Sequence, residues 1–306
     1  MGESAGAHGL TPFSLSLSRH DPHSHLSLFF PRSQIPDRRP APNGVLDPRL
    51  GVSTKPATCA TCGHALATCA GHFGYIRLQL PVFHLGFFRA TLAALQCVCK
   101  TCSRVLLAPE ERARALRALR APRVERAARA AALKRVAERC RRARTCPHCG
   151  AANGPVKKVP GSLKIVHDVW AGKHMAAPLA AYTSEFAGAA SANEALAPHL
   201  RRLADDLHPL RALALLTAVP DADAELLGLA GRPEHLILTH LPVPPVCIRP
   251  SVELDAGGAG TTEDDVTMKL MVIIDVNDIV RKGLGEGAAV PALMEHWDFL
   301  QVQCAM

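Results

Sequence analysis

Aromatic residues are scarce in this chain: two Trp, two Tyr and nine Phe among 306 residues, 4% of the total. Large rings supply much of the buried area in an ordinary core, so a fold resting mainly on aromatic packing is not expected. Acidic residues are in the minority, 27 against 35 Lys and Arg, giving a formal charge of +8 and an isoelectric point near 9.1. That balance favours an anionic partner such as nucleic acid. The chain has no run of about eighteen apolar residues, so no helical membrane span is expected. The 48% apolar fraction leans on alanine, which buries little area per residue. Such a chain needs a further source of stability.

Cysteine supplies it. Eleven cysteines are present, an odd number, and most stand in metal-ligand spacing. That pattern points to a reducing intracellular compartment. The sequence reads Cys59-x2-Cys62-x6-Cys69-x2-His72, then Cys99-x2-Cys102 and, much later, Cys146-x2-Cys149. Two closed tetrahedral Zn²⁺ sites require just such a set, one with three thiolates and an imidazole, one with four thiolates. Spacing delivers the first site whole and the second as two half-sites separated by a long insert. A structural zinc contributes on the order of 10–16 kcal/mol apparent at neutral pH. A closed site has no open position, so zinc hydrolysis chemistry is not expected. Cys97 lies close enough to Cys99 to compete as a ligand, but the paired CxxC favours Cys99 and Cys102. Cys140, Cys247 and Cys304 read as packing residues, and His64, His84 and His148 as surface or supporting ones.

Residues 1–42 lack apolar periodicity and read as disordered or as an atypical extension. Asn43-Gly44 and Asp47-Pro48 favour tight reversals. Tyr75 to Leu80 alternates apolar and polar residues and reads as a half-buried strand. Phe83 to Val98 reads as an apolar helical segment that delivers the chain to Cys99. Between Glu110 and Arg144 the pattern is helical and basic, with 13 Lys or Arg against four acids, and Pro122 divides it in two. A helix laid on phosphates and a solvated hairpin both fit that stretch. It has little aromatic interleaving, so base stacking is not suggested there.

Val156 to Val166 reads as strand, followed by an Ala-rich stretch to about Ala190. Asn193 to Leu216 reads as helix with breaks at Pro198 and Pro209, and Pro220 to Glu225 as a short helix with acidic residues at its start. Leu236 to Thr239 is strand-like. Pro242 to Pro250 reads as extended, because each proline pushes its predecessor out of the helical region, and Gly257 to Gly260 as a loop. Thr262 is placed as the cap of a helix whose apolar stripe runs Val266, Leu270, Ile273, Ile274 and Val280. A last helix spans about Ala292 to Cys304, with Trp297 and Leu300 available for packing. The two final helices look like half of a bundle.

Several stretches carry a resemblance. Asn43-Gly-Val-Leu-Asp-Pro-Arg-Leu-Gly51, Cys69-Ala-Gly-His-Phe-Gly-Tyr-Ile76, Leu80-Pro-Val-Phe-His84 and Leu95-Gln-Cys-Val-Cys-Lys-Thr-Cys102 are among them. Val243-Pro-Pro-Val-Cys-Ile-Arg-Pro-Ser-Val252, Glu263-Asp-Asp-Val-Thr-Met-Lys-Leu270 and Glu295-His-Trp-Asp-Phe-Leu-Gln-Val-Gln-Cys-Ala305 complete the set. Together they resemble the N-terminal clamp region of the largest subunit of multisubunit RNA polymerases, and their wording is similar to RNA polymerase III. The resemblance covers about residues 38 to 305. It implies that Cys59, Cys62, Cys69 and His72 bind one zinc and that Cys99, Cys102, Cys146 and Cys149 bind a second.

The resemblance further implies an α+β fold, mainly helical with short strands, that is not independently globular. Its expected divisions are an extension to residue 42, a zinc-binding clamp head over 43–155 and a clamp core over 156–306. Implied partners are the other polymerase III subunits, above all the second-largest, with template DNA and the RNA–DNA hybrid, in the nucleus. Arg49, Lys157, Lys158, Arg249 and Lys269 are candidates to meet phosphates, though a solvated or subunit-facing charge suits each as well. The family's Asn-Ala-Asp-Phe-Asp-Gly-Asp loop, which holds catalytic Mg²⁺, does not occur in these residues. The fragment alone is therefore expected to be inactive. A stand-alone zinc-binding nucleic-acid module and a truncated, non-functional product are the competing readings.

Overall fold

The computed structural model describes residues 26–28, 40–122, 124–171, 175–193, 204–253 and 261–306. In chain order, strands β1 (Leu26–Ser27) and β2 (Gly74–Phe83) precede helices α1 (Phe88–Cys97), α2 (Pro109–Arg120) and α3 (Arg126–Arg142). Strands β3 (Val156–Lys158) and β4 (Ile165–His167), helices α4 (Ala176–Glu185) and α5 (Ala187–Ala192), and strand β5 (Asp205–Asp206) come next. Helices α6 (Pro209–Thr217) and α7 (Asp221–Leu226) lead to strands β6 (Ile237–Val243), β7 (Val252–Glu253) and β8 (Thr261–Thr262). Helices α8 (Asp265–Glu286) and α9 (Val290–Ala305) close the chain. Helices outweigh the small sheets, as an α+β reading requires.

Two compact units emerge, one of Met1–His84 with Leu238–Met306, the other of Leu85–Ile237. This partition differs from the linear one expected at residue 155, because β2 finds its packing partners at the far end of the chain.

In the first unit, β2 is the middle strand of the order β1-β2-β6. Ile76, Leu78 and Val82 on it join Leu28, Leu50, Val243, Leu270, Ile273, Ile274, Trp297 and Leu300 in one apolar core. Side chains from the two long helices satisfy backbone groups of β2 at residues 77, 79, 81 and 83. Asn277 accepts from the Gln79 amide at 2.8 Å and donates to the Arg77 carbonyl at 3.0 Å. Trp297 Nε1 donates to the Pro81 carbonyl at 2.9 Å. Gln301 accepts from the Phe83 amide at 2.6 Å and donates to its carbonyl at 2.9 Å. These amide and indole groups do the work of a neighbouring strand, so a central strand is paired without a further ladder.

Several expectations are corrected here. Within the stretch read as disordered or as an atypical extension, the described residues 26–28 supply β1, which runs parallel to β2 with Leu26 opposite Gly74, and Leu28 is 2% exposed in the core. The strand is only two residues long, too short to leave a periodic signal. Asp264, rather than Thr262, caps α8, its side chain accepting from the Val266 amide at 2.9 Å. Thr262 instead pairs with Val252 in the short β7–β8 ladder. Val266 is 48% exposed, off the buried stripe formed by Leu270, Ile273, Ile274 and Val280. Pro242–Pro250 is not extended throughout, since Val246–Ile248 winds into a 3-10 turn with Pro245 before it. The two final helices pack on each other and on β2.

The second unit is organised around the helical hairpin of α2 and α3. Pro122 falls between them, where a missing amide costs nothing. Leu116 and Leu119 on α2 and Val136 and Cys140 on α3 pack with Cys97, Val105, Leu106, Leu107 and Leu226. The buried Asp223 carboxylate accepts from the Val105 amide at 3.0 Å and pairs with Arg112, tying α7 to α2. Val156–Val166 is not one strand but the hairpin of β3 and β4, with Lys158 opposite Ile165, and β5 extends it. Helix α1 begins at Phe88, later than expected, because β2 continues to Phe83. Pro209 opens α6 at its first turn, where its lost amide has no helical partner to miss. Pro198 and Gly257 to Gly260 lie outside the described residues.

Candidate metal centres

Three copies of one backbone turn carry six of the cysteines. In each, a Cys carbonyl accepts from the amide four residues on: Gly63 to Cys59 at 2.8 Å, Ser103 to Cys99 at 3.1 Å, and Gly150 to Cys146 at 2.9 Å. In each, the first Cys amide donates to a carbonyl five residues on, that of His64, Arg104 or Ala151, at 2.8–2.9 Å. A single bridge closes every turn, Thr58 with Ala65, Val98 with Val105, and Thr145 with Ala152. The residue after the second Cys is left-handed in all three, with φ of 71° at Gly63, 57° at Ser103 and 72° at Gly150. Glycine suits that conformation. Ser103 fills it with a side chain, which is why the second turn is less apparent in the sequence than the other two.

The turns aim amide hydrogens at sulfur. Thr61, Thr101 and His148 amides lie 3.4, 3.4 and 3.5 Å from the Sγ atoms of Cys59, Cys99 and Cys146. Gly71, at φ 82°, does the same for Cys69 at 3.4 Å. Such donors stabilise thiolate over thiol. They are the physical reason for spacing two cysteines by two residues.

These turns assemble two clusters, Cys59 with Cys62, Cys69 and His72, and Cys99 with Cys102, Cys146 and Cys149, each with its ligand atoms within 4.8 Å of one another. The first lies within the first unit and the second within the other. The Sγ atoms of Cys62 and Cys69 are 3.6 Å apart, and Cys69 Sγ is 3.9 Å from His72 Nε2. Cys99 and Cys149 are separated by 3.7 Å, Cys102 and Cys146 by 3.6 Å. Disulfide sulfurs would stand about 2.05 Å apart. Bonds of 2.3 Å at the tetrahedral angle put two zinc-bound sulfurs about 3.8 Å apart, and the observed spacings match that edge.

Charge makes the same point. Burial and neighbouring thiols push Cys102 up to about 12. At Cys99 burial acts upward, but amide donors from Cys102 and Thr101 outweigh it and draw that thiol down to about 7. Four sulfurs in one small volume cannot all ionise without a cation. A Zn²⁺ held there would let every one be a thiolate. The donor sets therefore suit closed structural zinc sites, one Cys₃His and one Cys₄.

Cys97, the rival ligand, is not in either cluster. It is buried with Cys140 in the core of the second unit. Cys247 stands beside the first cluster without joining it, its Sγ 3.8 Å from the Ala70 carbonyl.

The basic candidates are scattered. Arg49 is bound to the buried Asp47 through Nε and Nη2 at 2.9 and 2.7 Å, and to Asn43 Oδ1 at 2.9 Å. Lys157 and Lys158 are adjacent and exposed on β3. Lys269 reaches Gln303 Oε1 at 3.3 Å. Arg249 is a correction. It is 1% exposed, and its guanidinium donates to the Pro244 carbonyl, Thr267 Oγ1 and the Val45 carbonyl. A buried guanidinium holding three protein acceptors is a structural staple, with no face for a phosphate.

The family model described as RNA polymerase Rpb1, domain 1, matches residues 24–306. The Saccharomyces cerevisiae protein "DNA-directed RNA polymerase III subunit RPC1" is 43% identical over 282 residues, covering 88% of this chain and 19% of that protein. The Homo sapiens protein of the same description is 44% identical over 279 residues, 90% of this chain and 20% of its own length. The Thermococcus celer "DNA-directed RNA polymerase subunit Rpo1N" is 31% identical over 268 residues, 87% of this chain and 26% of its own. The chain thus spans about a fifth of the length of its RNA polymerase III relatives. By the match over residues 24–306, the chain belongs to the family described as RNA polymerase Rpb1, domain 1.

Proposed function

We propose that this chain is the zinc-stapled clamp portion of an RNA polymerase III largest subunit. In this reading it serves DNA-templated RNA synthesis in the nucleus by holding template and RNA–DNA hybrid, alongside the second-largest subunit. The observation that carries the reading is the conjunction of the RNA polymerase III matches with two complete four-ligand clusters. Zinc at Cys59, Cys62, Cys69 and His72, and at Cys99, Cys102, Cys146 and Cys149, would be structural. Its bonds fix the two turns of each cluster in a chain poor in large side chains. Nucleotidyl transfer with Mg²⁺ belongs to the whole subunit, because no Asn-Ala-Asp-Phe-Asp-Gly-Asp sequence is present here.

Basic side chains would meet phosphates without reading sequence. Arg49, Lys157, Lys158 and Lys269 remain in that role, and Arg249 leaves it. The test is assembly. A full-length largest subunit should co-purify with the second-largest subunit and carry two zinc ions in this region. Replacing Cys62 and Cys102 together should abolish both properties. The isolated zinc-loaded chain should make no RNA from template and nucleoside triphosphates. RNA synthesis above background, or a largest subunit that assembles normally without these ligands, would overturn the reading.

A further inference from the structure

The second unit carries an arginine-lined groove at the end of α3. A hollow of about 480 Å³ is lined by Arg141, Arg142, Arg144, Asn153, Gly154 and Ala171, among others. A second hollow of about 250 Å³ shares Arg141 and Gly154 with it and adds Gln96 and Lys157. No acidic residue lines either one. Arg141, Arg142 and Lys157 are exposed and form no ion pair among the described residues.

The floor is held firmly. A Cβ at Gly154 would lie 1.8 Å from the Asp168 carbonyl oxygen, so only glycine permits the approach of these two segments. The Gly154 amide donates to His167 Nε2 at 3.0 Å. Burial first, and Lys100 beside it, push His167 down to about 4, so the ring accepts as a neutral group. Asn153 Nδ2 donates to the Ala143 carbonyl at 2.8 Å, fastening the groove to the end of α3. Asp168, whose backbone adjoins Gly154, has its carboxylate Oδ1 engaged by the Trp170 amide at 3.1 Å.

An independent feature begins one residue before the lining residue Ala171. Trp170 packs against Tyr182 with ring centroids 5.2 Å apart, and Tyr182 against Phe186 at 4.9 Å. Three of the chain's few aromatic rings are gathered here, and Phe186 is 38% exposed.

We propose that this groove binds single-stranded nucleic acid, with Arg141, Arg142, Arg144 and Lys157 on the phosphodiester oxygens and the Trp170–Tyr182–Phe186 group stacking a base. Guanidinium forks match phosphate geometry, and a cationic groove beside aromatic faces is how strands are held without sequence readout. The larger hollow, about 480 Å³, has the size of a pocket for a small ligand, which suits one or two nucleotides of a strand and not a duplex. An acidic peptide would use the arginines and leave the rings idle. The inference rests on the nucleic-acid role proposed above and gives it a location.

The test titrates the zinc-loaded 306-residue chain against a fluorescent oligo(dT) of about twelve nucleotides, within known strand site sizes, and against a poly-glutamate peptide, over a salt series. The oligonucleotide should bind at least tenfold more tightly than the peptide. Replacing Arg141, Arg142 and Arg144 by Gln should weaken it at least tenfold and reduce the salt slope by about 2, at roughly 0.7 for each phosphate no longer neutralised. Trp170→Ala should weaken it several-fold with the slope unchanged. A control replacing the exposed Arg126, Lys134 and Arg135 by Gln, with equal loss of charge, should stay within twofold. Zinc content and circular dichroism confirm that each variant is folded, and Arg141→Gln alone, expected at about a third of the loss in slope, replaces the triple variant if that variant loses zinc. Peptide binding equal to the oligonucleotide, equal losses in groove and control variants, or no oligonucleotide binding by the parent chain would overturn the groove. None of those outcomes touches co-purification of the subunit, which tests the wider reading.

Discussion

The sulfurs of Cys102 and Cys146 lie 3.6 Å apart, although 44 positions separate them in the chain. The whole α2–α3 hairpin is looped out between them. One metal ion would therefore close that hairpin at its base and cross-link the second unit.

Cys146→Ser should remove one zinc of two and disorganise the second unit, because the binding energy at stake, on the order of 10–16 kcal/mol, rivals the whole stability of a domain. Metal analysis after gel filtration should return one zinc per chain. Protease should then cut within 109–142 at native temperature. Two zincs retained would count against Cys146 as a ligand.

Gly71→Ala should cost more than Gly63→Ala. Both residues are left-handed, at φ 82° and 71°, and that alone costs an L-residue about 1–2 kcal/mol. At Gly63 a Cβ would meet nothing within 4 Å, whereas at Gly71 it would lie 2.4 Å from Pro245 Cβ and 2.8 Å from Cys247 Sγ. Gly63→Ala should lower stability by that strain only. Gly71→Ala should also part the first metal turn from the Val246–Ile248 segment, and denaturant unfolding of the two variants compares them directly.

Arg249→Met should destabilise the first unit and leave oligonucleotide affinity unchanged. Burial draws the guanidinium down to about 10, so it is still charged at neutral pH. Its loss leaves the Val45 and Pro244 carbonyls and Thr267 without their donor, at about 1–3 kcal/mol for each group left unpaired. Thermal unfolding measures the first effect and anisotropy the second. A weaker oligonucleotide complex at unchanged stability would restore the phosphate role.

The Asp47–Arg49 pair should make stability fall in acid. Burial tends to raise the Asp47 carboxyl, but hydrogen bonds from Arg49 and Asn43 outweigh it and hold the group below its ordinary 3.8. A carboxylate depressed in the fold contributes stability above its unfolded value and loses it as pH falls through the folded one. The contribution should be fully present above the ordinary carboxylate range and be lost as pH falls below it. Asp47→Asn should flatten that part of the stability–pH curve, read as the difference from the parent chain at each pH so that zinc loss cancels.

The two clusters were legible because thiolate chemistry demands fixed spacing, and the eight positions expected as ligands stand together in them. Pro122 and the buried face of α8 were legible for equally local reasons. What escaped depends on remote partners. Nothing near Gln301 or Asn277 says that these amides reach β2, more than 190 positions earlier. Nothing near Arg249 says that its acceptors include Val45, 204 positions away, and a lone arginine between prolines reads as a surface charge. The aromatic group at Trp170 was missed in a similar way, because its rings are dispersed in sequence and a helix brings two of them together.

The discontinuity of the first unit sets a schedule. As the chain emerges from the ribosome, the second unit is complete once Ile237 is made, and its four cysteines can close on metal. The core around β2 must wait for Asn277, Trp297 and Gln301, roughly 60 residues and several seconds later at about 5–20 residues per second. During that interval Ile76, Leu78 and Val82 have no helices to cover them. β2 is therefore among the first elements made and the last to be covered, its core closing only when α9 arrives.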